Sequence, residues 1–326
     1  MVRHTEVQPH RDNGFFGPGS VTWKVWSYPT SVVLGFLRSV VIEELDPFLV
    51  AAVAHSGQVK QRTQLRYDRT LQYFATVKFG DAQSVLKAAE ILVKIHGRSV
   101  GPEPISGGQF DANDPDSQLW IHLTAWHSVL YTYEVFGPGK LSAMEEAQYW
   151  RECAIAAHFQ TIDPATVPLT REGIAAYFED YRPRLVGSDV AKDMMNFLLD
   201  ATSRFLDGVV PKVVATPISA VIRRAVIATF PQWMRELSGL EQSRAVDLAV
   251  TAQTKAVVRT LALNRRLQLA VLAKISPLTV PIVAPVMFEV PATEPKVWTP
   301  QEAYAHFGIP TPREQYAVIL ASRAAG

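Results

Sequence analysis

The chain has 326 residues, of which 48% are hydrophobic and 19% charged, and its 32 basic residues balance 31 acidic ones. This composition excludes a disordered or fibrous protein. Without a basic excess or a basic run, nothing indicates nucleic-acid binding. The only cysteine, Cys153, excludes an intramolecular disulfide framework and a cysteine-based zinc site. The polar N-terminus lacks the apolar core of a signal peptide, so we expect a cytoplasmic protein.

Two apolar stretches could contact a membrane, residues 31–54 and residues 267–289. The first carries Arg38 and three acidic residues, which a helix in lipid would hold only at high cost. The second is interrupted by Lys274 and three prolines, which predicts an irregular segment over 274–298. We therefore expect a soluble protein, with peripheral contact to membranes or lipids left open.

Apolar residues recur at helical spacing along the N-terminal half. The pattern predicts one or two helices over 31–54, bent near Asp46-Pro47. It predicts further helices over 61–79 and 82–96. Asp81 has the residue type and position of an N-cap for the helix over 82–96.

The same periodicity continues towards the C-terminus, with start signals of the capping-box type at two places. The predicted elements are helices over 116–136, after Ser142 with Glu145, after Thr170, over 188–206, 214–239 and 241–273, and after Thr299 with Pro300 and Glu302.

Evidence for strands and for domain boundaries is scarce. Residues 100–115 contain many glycines and prolines and predict a loop. The best strand candidate is VPIVAPVMFEVP, residues 280–291, although its prolines argue against it. We find no repeat and no boundary. The sequence therefore predicts an all-α fold with a single domain over 1–326, in which residues 1–13 are disordered or extended.

One histidine lies on an apolar helix face. On the predicted helix 82–96, Val85, Ala89, Leu92, Val93 and His96 share that face. A buried imidazole needs a partner, so one interpretation is a core histidine bonded to a backbone carbonyl. The other is an axial ligand of haem iron, which needs a neutral imidazole presented from an apolar wall.

The preceding helix carries polar groups among aromatic ones. Arg66, Thr70 and Tyr73 share one face of the helix over 61–79, and Arg69 lies beside it. An arginine fork pairs well with a carboxylate such as a haem propionate, so this face could form the polar edge of a pocket. Alternatively, both arginines are solvated, Thr70 bonds its own helix and Tyr73 packs in the core.

Three segments, in this order, resemble the latex-clearing protein (rubber oxygenase) and MpaB-type oxygenase family. They are Arg66 with Thr70 and YFATVKFGD, then ILVKIHGRSVG, then FDANDPDSQLWIHLTAWHSVL. The resemblance covers roughly residues 14–240 and is strongest over 60–150. It implies a globin-like α-helical core that holds a b-type haem, with His96 as the proximal iron ligand and Arg66 and Thr70 at the pocket.

The resemblance also implies a reaction. It indicates a haem-dependent oxygenase or oxidase that uses dioxygen on an apolar, isoprenoid- or lipid-like substrate. In the rubber oxygenases the position of Arg69 is a lysine that can reach the iron, whereas an arginine stays protonated and is a poor ligand. The acidic base of those enzymes has no match here, because Glu43 and Glu44 lie upstream at a different distance.

Two further residues of the Trp-x-His segment are candidates for the cofactor pocket. His122 could line the pocket or replace His96 as the iron ligand, and Trp126 could contact the cofactor. Each is equally well explained as a core residue. The NDPD turn, residues 113–116, offers oxygen atoms for a metal, but a turn that caps the next helix needs the same residue types.

A non-catalytic function remains an alternative at this point. Near-neutral charge and a high apolar fraction also suit a helical protein that holds haem or a lipid without turning it over.

Overall fold

The computed structural model describes residues 7–202 and 211–325, and these residues are almost entirely α-helical. The all-α prediction is confirmed, while a globin-like arrangement and a single domain stay predictions. Within the described ranges, no helix is both long and apolar enough to cross a membrane.

The first part of the chain supplies six α-helices, a π-helical turn and two short strands. They are α1 (Val21–Trp26), the π-helical turn (Ser31–Gly35), α2 (Phe36–Glu43), α3 (Pro47–Ser56), α4 (Gln58–Gln61), α5 (Thr63–Phe79), α6 (Ala82–His96), β1 (Val100–Glu103) and β2 (Gly108–Asp111).

The rest of the described chain is helical, with irregular connections. Its α-helices are α7 (Pro115–Phe136), α8 (Ala143–Ala157), α9 (Arg171–Tyr181), α10 (Asp189–Asp200), α11 (Lys212–Ala228), α12 (Gln232–Ser238), α13 (Arg244–Ala262), α14 (Arg265–Ile275), α15 (Val280–Met287), α16 (Pro300–Phe307) and α17 (Pro312–Ala324).

The bend predicted near Asp46-Pro47 is confirmed and has a local cause. The Asp46 carboxylate accepts the backbone N–H groups of Phe48 and Leu49, each at 2.9 Å. Pro47 occupies the first turn of α3, where no intrahelical partner for its nitrogen is needed. The side chain of Asp46 therefore fixes the start of the second helix just after the bend.

Helix α7 is the central element of the fold. Side chains on nearly all of its faces are buried, among them Trp120, Leu123 and Trp126, as expected for a helix that is apolar all round. It contributes to both large hydrophobic clusters. Gly35 lies against it so closely that a Cβ there would come within 2.9 Å of the Val129 Cα.

One expectation about strands was wrong, and the strand candidate that its prolines had argued against is helical. The predicted loop over 100–115 contains an antiparallel hairpin of β1 and β2, in which Gly101 pairs with Phe110. The Glu103 carboxylate stabilises its turn by accepting backbone N–H groups. The strand candidate over 280–291 instead contains α15, since one of its prolines lies in the first turn, where helices tolerate it.

Several predicted boundaries also changed. The helix predicted over 241–273 is divided at Asn264, whose side chain caps α14 by accepting the Leu267 N–H at 3.0 Å. The helix predicted over 214–239 is divided before Pro231, which precedes α12. The predicted irregular segment 274–298 begins in the last turn of α14 and contains α15, and its residues 276–279 and 288–298 are irregular.

The remaining differences from the predicted elements concern the two ends of the chain and residues 203–206. Residues 1–6, part of the segment expected to be disordered or extended, lie outside the described residues, as do residues 203–206 of the predicted helix 188–206. Residues 7–13 are irregular and bond the segment before α16, for example through the Asn13 N–H and the Lys296 carbonyl. Helix α17 was not predicted.

We expect the Asp68→Ala substitution to destabilise the fold by ~2–3 kcal/mol, the range for buried hydrogen bonds to a charged group. The buried Asp68 carboxylate accepts the Ser276 hydroxyl at 2.6 Å and the Leu278 N–H at 3.2 Å, so it ties α5 to the turn between α14 and α15. Urea unfolding would measure the loss. Asp193→Ala, which removes an exposed ion pair with Lys60, should change stability little. Equal effects of the two substitutions would contradict this role of Asp68.

Candidate functional site

The C-terminal end of α6 is where the sequence placed its main candidate. Asp81 caps the start of the helix by accepting the Ser84 N–H at 2.9 Å. Val85, Ala89 and Val93 are buried, and His96 follows on the same side in the last turn, where it is half-buried. The predicted core-facing stripe is therefore present and ends on the imidazole.

The segment after the hairpin holds this helix end in place. The Asn113 side chain donates to the Val93 carbonyl at 2.9 Å, and the Ala112 N–H donates to the Ser99 carbonyl at 3.0 Å. Asp114 then caps α7 by accepting the Ser117 N–H at 2.9 Å. The capping role predicted for the NDPD turn is confirmed, and the Asn113 side chain also holds the end of α6 through its hydrogen bond to Val93.

The two nitrogens of His96 have different surroundings. Nδ1 lies 3.1 Å from Nε2 of Gln118, which also donates to the Ala112 carbonyl at 2.5 Å. Within residues 7–202 and 211–325, no hydrogen bond to the Nε2 of His96 is found. Burial, and then the positive charge of Arg66, lower the pKa of His96 to about 4. The ring is therefore neutral at neutral pH, with Nδ1 held by Gln118 and with the Ala112 backbone also hydrogen-bonded to the ring.

Helix α5 brings two guanidinium groups to this region. Arg66 and Arg69 are exposed, and in the described part of the chain neither has a carboxylate oxygen within 4.0 Å. Burial, and then the charge of Arg69, lower the pKa of Arg66. Two neighbouring cations without an acidic partner favour an anionic group between or beside them.

Thr70 and Tyr73 are engaged in structural contacts. The Thr70 hydroxyl donates to the Arg66 carbonyl of its own helix at 2.8 Å. The Tyr73 hydroxyl donates to the Phe159 carbonyl at 2.8 Å and so ties α5 to the loop after α8. Both observations match the alternative interpretation in which these side chains support their helix.

His122 and Trp126 lie in the core rather than at an open site. The Nδ1 of His122 is 2.8 Å from the Gln160 side-chain oxygen, and its Nε2 is 2.9 Å from the Cys153 carbonyl. Burial, and then the charge of Lys78, lower the pKa of His122 to about 4. Trp126 is fully buried and packs on Trp26, with ring centroids 5.4 Å apart.

The two glutamates considered as a distal base lie at the end of α2. Burial raises the pKa of Glu43 to about 7, and the Ser39 hydroxyl donates to its carboxylate. Burial, and then Glu43, raise the pKa of Glu44 well above its ordinary value. Helix α2 packs mainly on α7 and α10, so neither residue belongs to the α5–α6 region.

Sequence reasoning missed Gln118 and Gln160. Gln118 precedes His122 by four residues on α7, so the two share a helix face, and the periodicity alone could have indicated this polar pair. Gln160 lies in a loop and approaches Gln118 only in the folded chain, where its Nε2 donates to the Gln118 oxygen at 2.8 Å.

A small apolar cavity of about 90 Å³ lies elsewhere along α5, between the π-helical turn, α14 and α15. Its lining includes Val32, Phe74, Leu272 and Met287. In the described ranges, no group of three or more His, Cys, Asp or Glu side chains could hold a metal ion.

Comparison with known families gives one match. Residues 23–284 match the family described as ER-bound oxygenase mpaB/B'/Rubber oxygenase, catalytic domain. Because this range covers most of the chain, the chain belongs to that family, as its motifs indicated, and is an oxygenase. No curated protein and no solved structure matches the chain.

We expect acid to destabilise the protein partly through His122. In the unfolded chain this residue binds a proton near its ordinary pKa of 6.5, whereas in the folded protein it stays neutral down to about 4. As the pH falls through this window, only the unfolded state gains the proton. The free energy of unfolding should therefore fall by up to about 1.4 kcal/mol per pH unit from this residue.

The His122→Gln variant should lack this component. Urea unfolding at a series of pH values would then give a flatter curve between pH 6.5 and 4 than the wild type gives. The exposed His306 provides a matched control, since His306→Gln should leave the slope unchanged. Parallel curves for His122→Gln and the wild type would contradict the assignment.

Proposed function

We propose that this oxygenase is haem-dependent and acts on an apolar substrate, with His96 as the proximal ligand of a b-type haem. The observation that carries the proposal is the neutral imidazole of His96, presented at the end of an apolar helix stripe with its Nδ1 beside the Gln118 amide. Haem iron needs one such nitrogen from the protein.

The residues around His96 fit the other parts of a haem. Haem b has two propionate carboxylates, and Arg66 and Arg69 are guanidinium groups without an acidic partner in the described chain. The macrocycle is apolar, and Leu65 and Ile95, which precede Arg66 and His96 in sequence, are 38% and 59% exposed. The candidate ligand and the charges therefore lie on two helices that each also carry an exposed apolar side chain.

The roles then follow from the chemistry of each side chain. His96 would hold the iron through Nε2, and Arg66 would pair with a propionate. Thr70 would line the distal side, where its hydroxyl could turn from its own helix towards a ligand. Arg69 stays protonated, so it would supply charge and hydrogen-bond donors rather than an iron ligand. When bound, haem supplies the binding and activation of dioxygen.

His96 suits this role better than His122 does. Both nitrogens of His122 are engaged and its side chain is 1% exposed, so iron could reach it only by breaking core hydrogen bonds. Tyr73 and Trp126 would support the pocket through α5 and α7 rather than contact the cofactor.

The His96→Ala variant should lose haem while the fold is retained, because it removes the nitrogen that would hold the iron. The visible spectrum after reconstitution with haemin measures this, and His306→Ala is the matched control, since its side chain is exposed on α16. A full Soret band in His96→Ala would contradict the ligand. Oxygen uptake by the loaded protein with a long-chain isoprenoid or lipid then separates turnover from simple binding.

Arg66→Gln should weaken haem binding about tenfold, the equivalent of one charge-assisted pair worth ~1.4 kcal/mol. Haemin titration followed at the Soret band would give the affinity. Arg62 provides the control, since it is also an exposed arginine but belongs to the junction of α4 and α5. Equal affinities for Arg66→Gln and Arg62→Gln would argue against a propionate partner at Arg66.

A further inference from the structure

A continuous chain of hydrogen bonds joins the half-buried His96 to the buried His122. Gln118 Nε2 contacts His96 Nδ1 at 3.1 Å, Gln160 Nε2 donates to Gln118 Oε1 at 2.8 Å, and His122 Nδ1 lies 2.8 Å from Gln160 Oε1. We call these four side chains, His96, Gln118, Gln160 and His122, the relay. It crosses from α6 through α7 to the loop after α8.

Two main-chain carbonyls contact the relay, one at Gln118 and the other at His122. Gln118 Nε2 donates to the Ala112 carbonyl at 2.5 Å, and His122 Nε2 lies 2.9 Å from the Cys153 carbonyl. An amide, like a neutral imidazole, donates on one side and accepts on the other. Gln118, Gln160 and His122 lie in a row between the two carbonyls and make four contacts. Each of these three groups can donate in one direction only, so three donors serve four contacts. One contact must bring two acceptors together.

The relay therefore has two directions. In one direction, Ala112 receives a donor from Gln118, His122 carries its proton on Nδ1, and the unprotonated Nε2 of His122 faces the Cys153 carbonyl. Among the described residues, this Nε2 also lies 3.4 Å from the Cys153 thiol, which is a weak hydrogen-bond donor. In the reverse direction, His122 carries its proton on Nε2 and donates to the Cys153 carbonyl. The two amides are then turned over, and Gln118 presents its oxygen to His96 and Ala112.

The direction decides which nitrogen of His96 is protonated. When Gln118 donates to Nδ1, the proton of a neutral ring lies on Nε2, where it blocks a metal. When Gln118 presents its oxygen, Nδ1 carries the proton and Nε2 has a free lone pair. Both rings stay neutral in both directions, so the relay holds the same number of protons.

We propose that Gln118, Gln160 and His122 are positioning residues that select the tautomer of His96, and that metal binding at His96 Nε2 reverses the relay and moves the proton of His122 from Nδ1 to Nε2. The selection depends only on the hydrogen bonds described above, whereas the reversal rests on the proposed function. The nitrogen of the buried His122 that carries the proton therefore depends on whether a metal is bound at His96.

The selection is tested on the protein without any porphyrin. Long-range nitrogen–proton NMR spectra of ¹⁵N-histidine-labelled protein show which nitrogen of each ring is protonated. The wild type should show His122 protonated at Nδ1. In Gln118→Leu the donor to Ala112 is gone and Gln160 is free to turn, so His122 should be protonated at Nε2. Gln232→Leu, an exposed glutamine on α12, should match the wild type.

A second variant keeps the test decisive if Gln118→Leu does not fold. Gln118→Glu has the same shape but only accepts, so it should move the proton of His96 to Nδ1. Two outcomes would overturn the proposal. One is a folded Gln118→Leu in which His122 is still protonated at Nδ1, and the other is a Gln118→Glu in which His96 is still protonated at Nε2. His96→Ala and His122→Gln assign the two sets of signals.

The reversal is tested with zinc protoporphyrin IX, a diamagnetic analogue of haem. Loading the wild type should move the His122 proton to Nε2, and Gln118→Leu should bind the porphyrin ~10–100-fold more weakly, as is typical when the partner of a metal-bound histidine is lost. A loaded wild type that keeps the proton on Nδ1 overturns the reversal. A wild type that binds no porphyrin overturns the proposed function and the reversal together, while the porphyrin-free spectra still decide the selection.

Discussion

The side-chain amide of Gln118 is the interaction on which the site depends. It donates to His96 and to the Ala112 carbonyl, and it accepts from Gln160. A buried amide that lost these partners would carry the full cost of desolvation, so the last turn of α6, the start of α7 and the loop after α8 must keep their relative positions. The orientation of His96 is a consequence of that requirement.

The C-terminal helix reinforces the same position from outside. Arg323 donates to the Gly97 carbonyl, and both Arg323 and Tyr316 donate to the Asp111 carboxylate. These residues of α17 lie beyond the range that matches the family, 23–284. The end of α6 is therefore held by α7, by the hairpin segment and by α17, whereas the neighbouring part of α5 presents exposed arginines.

Local chemistry explains which parts of the fold were predictable. The caps at Asp81, Ser142, Thr170 and Thr299 were read correctly, because an N-cap involves only residues within one turn. The hairpin of β1 and β2 was missed because strand pairing depends on neighbours that the periodic pattern does not contain. The break at Asn264 was overlooked although its cap is a local signal. Helix α17 has the same capping box, Thr311 with Glu314, and was overlooked despite that signal.

The site shows the same division between local and distant information. His96 could be placed from the spacing of apolar residues on one helix, but its partner network could not, since Gln118 and Gln160 are 42 residues apart. The contrast with His122 is instructive. Burial lowers the pKa of both rings to about 4, so the shift alone does not distinguish a ligand from a core residue. The two rings differ in burial and surroundings: His122 is fully buried with an oxygen beside each nitrogen, whereas His96 is half-buried, and only the folded chain reveals this difference.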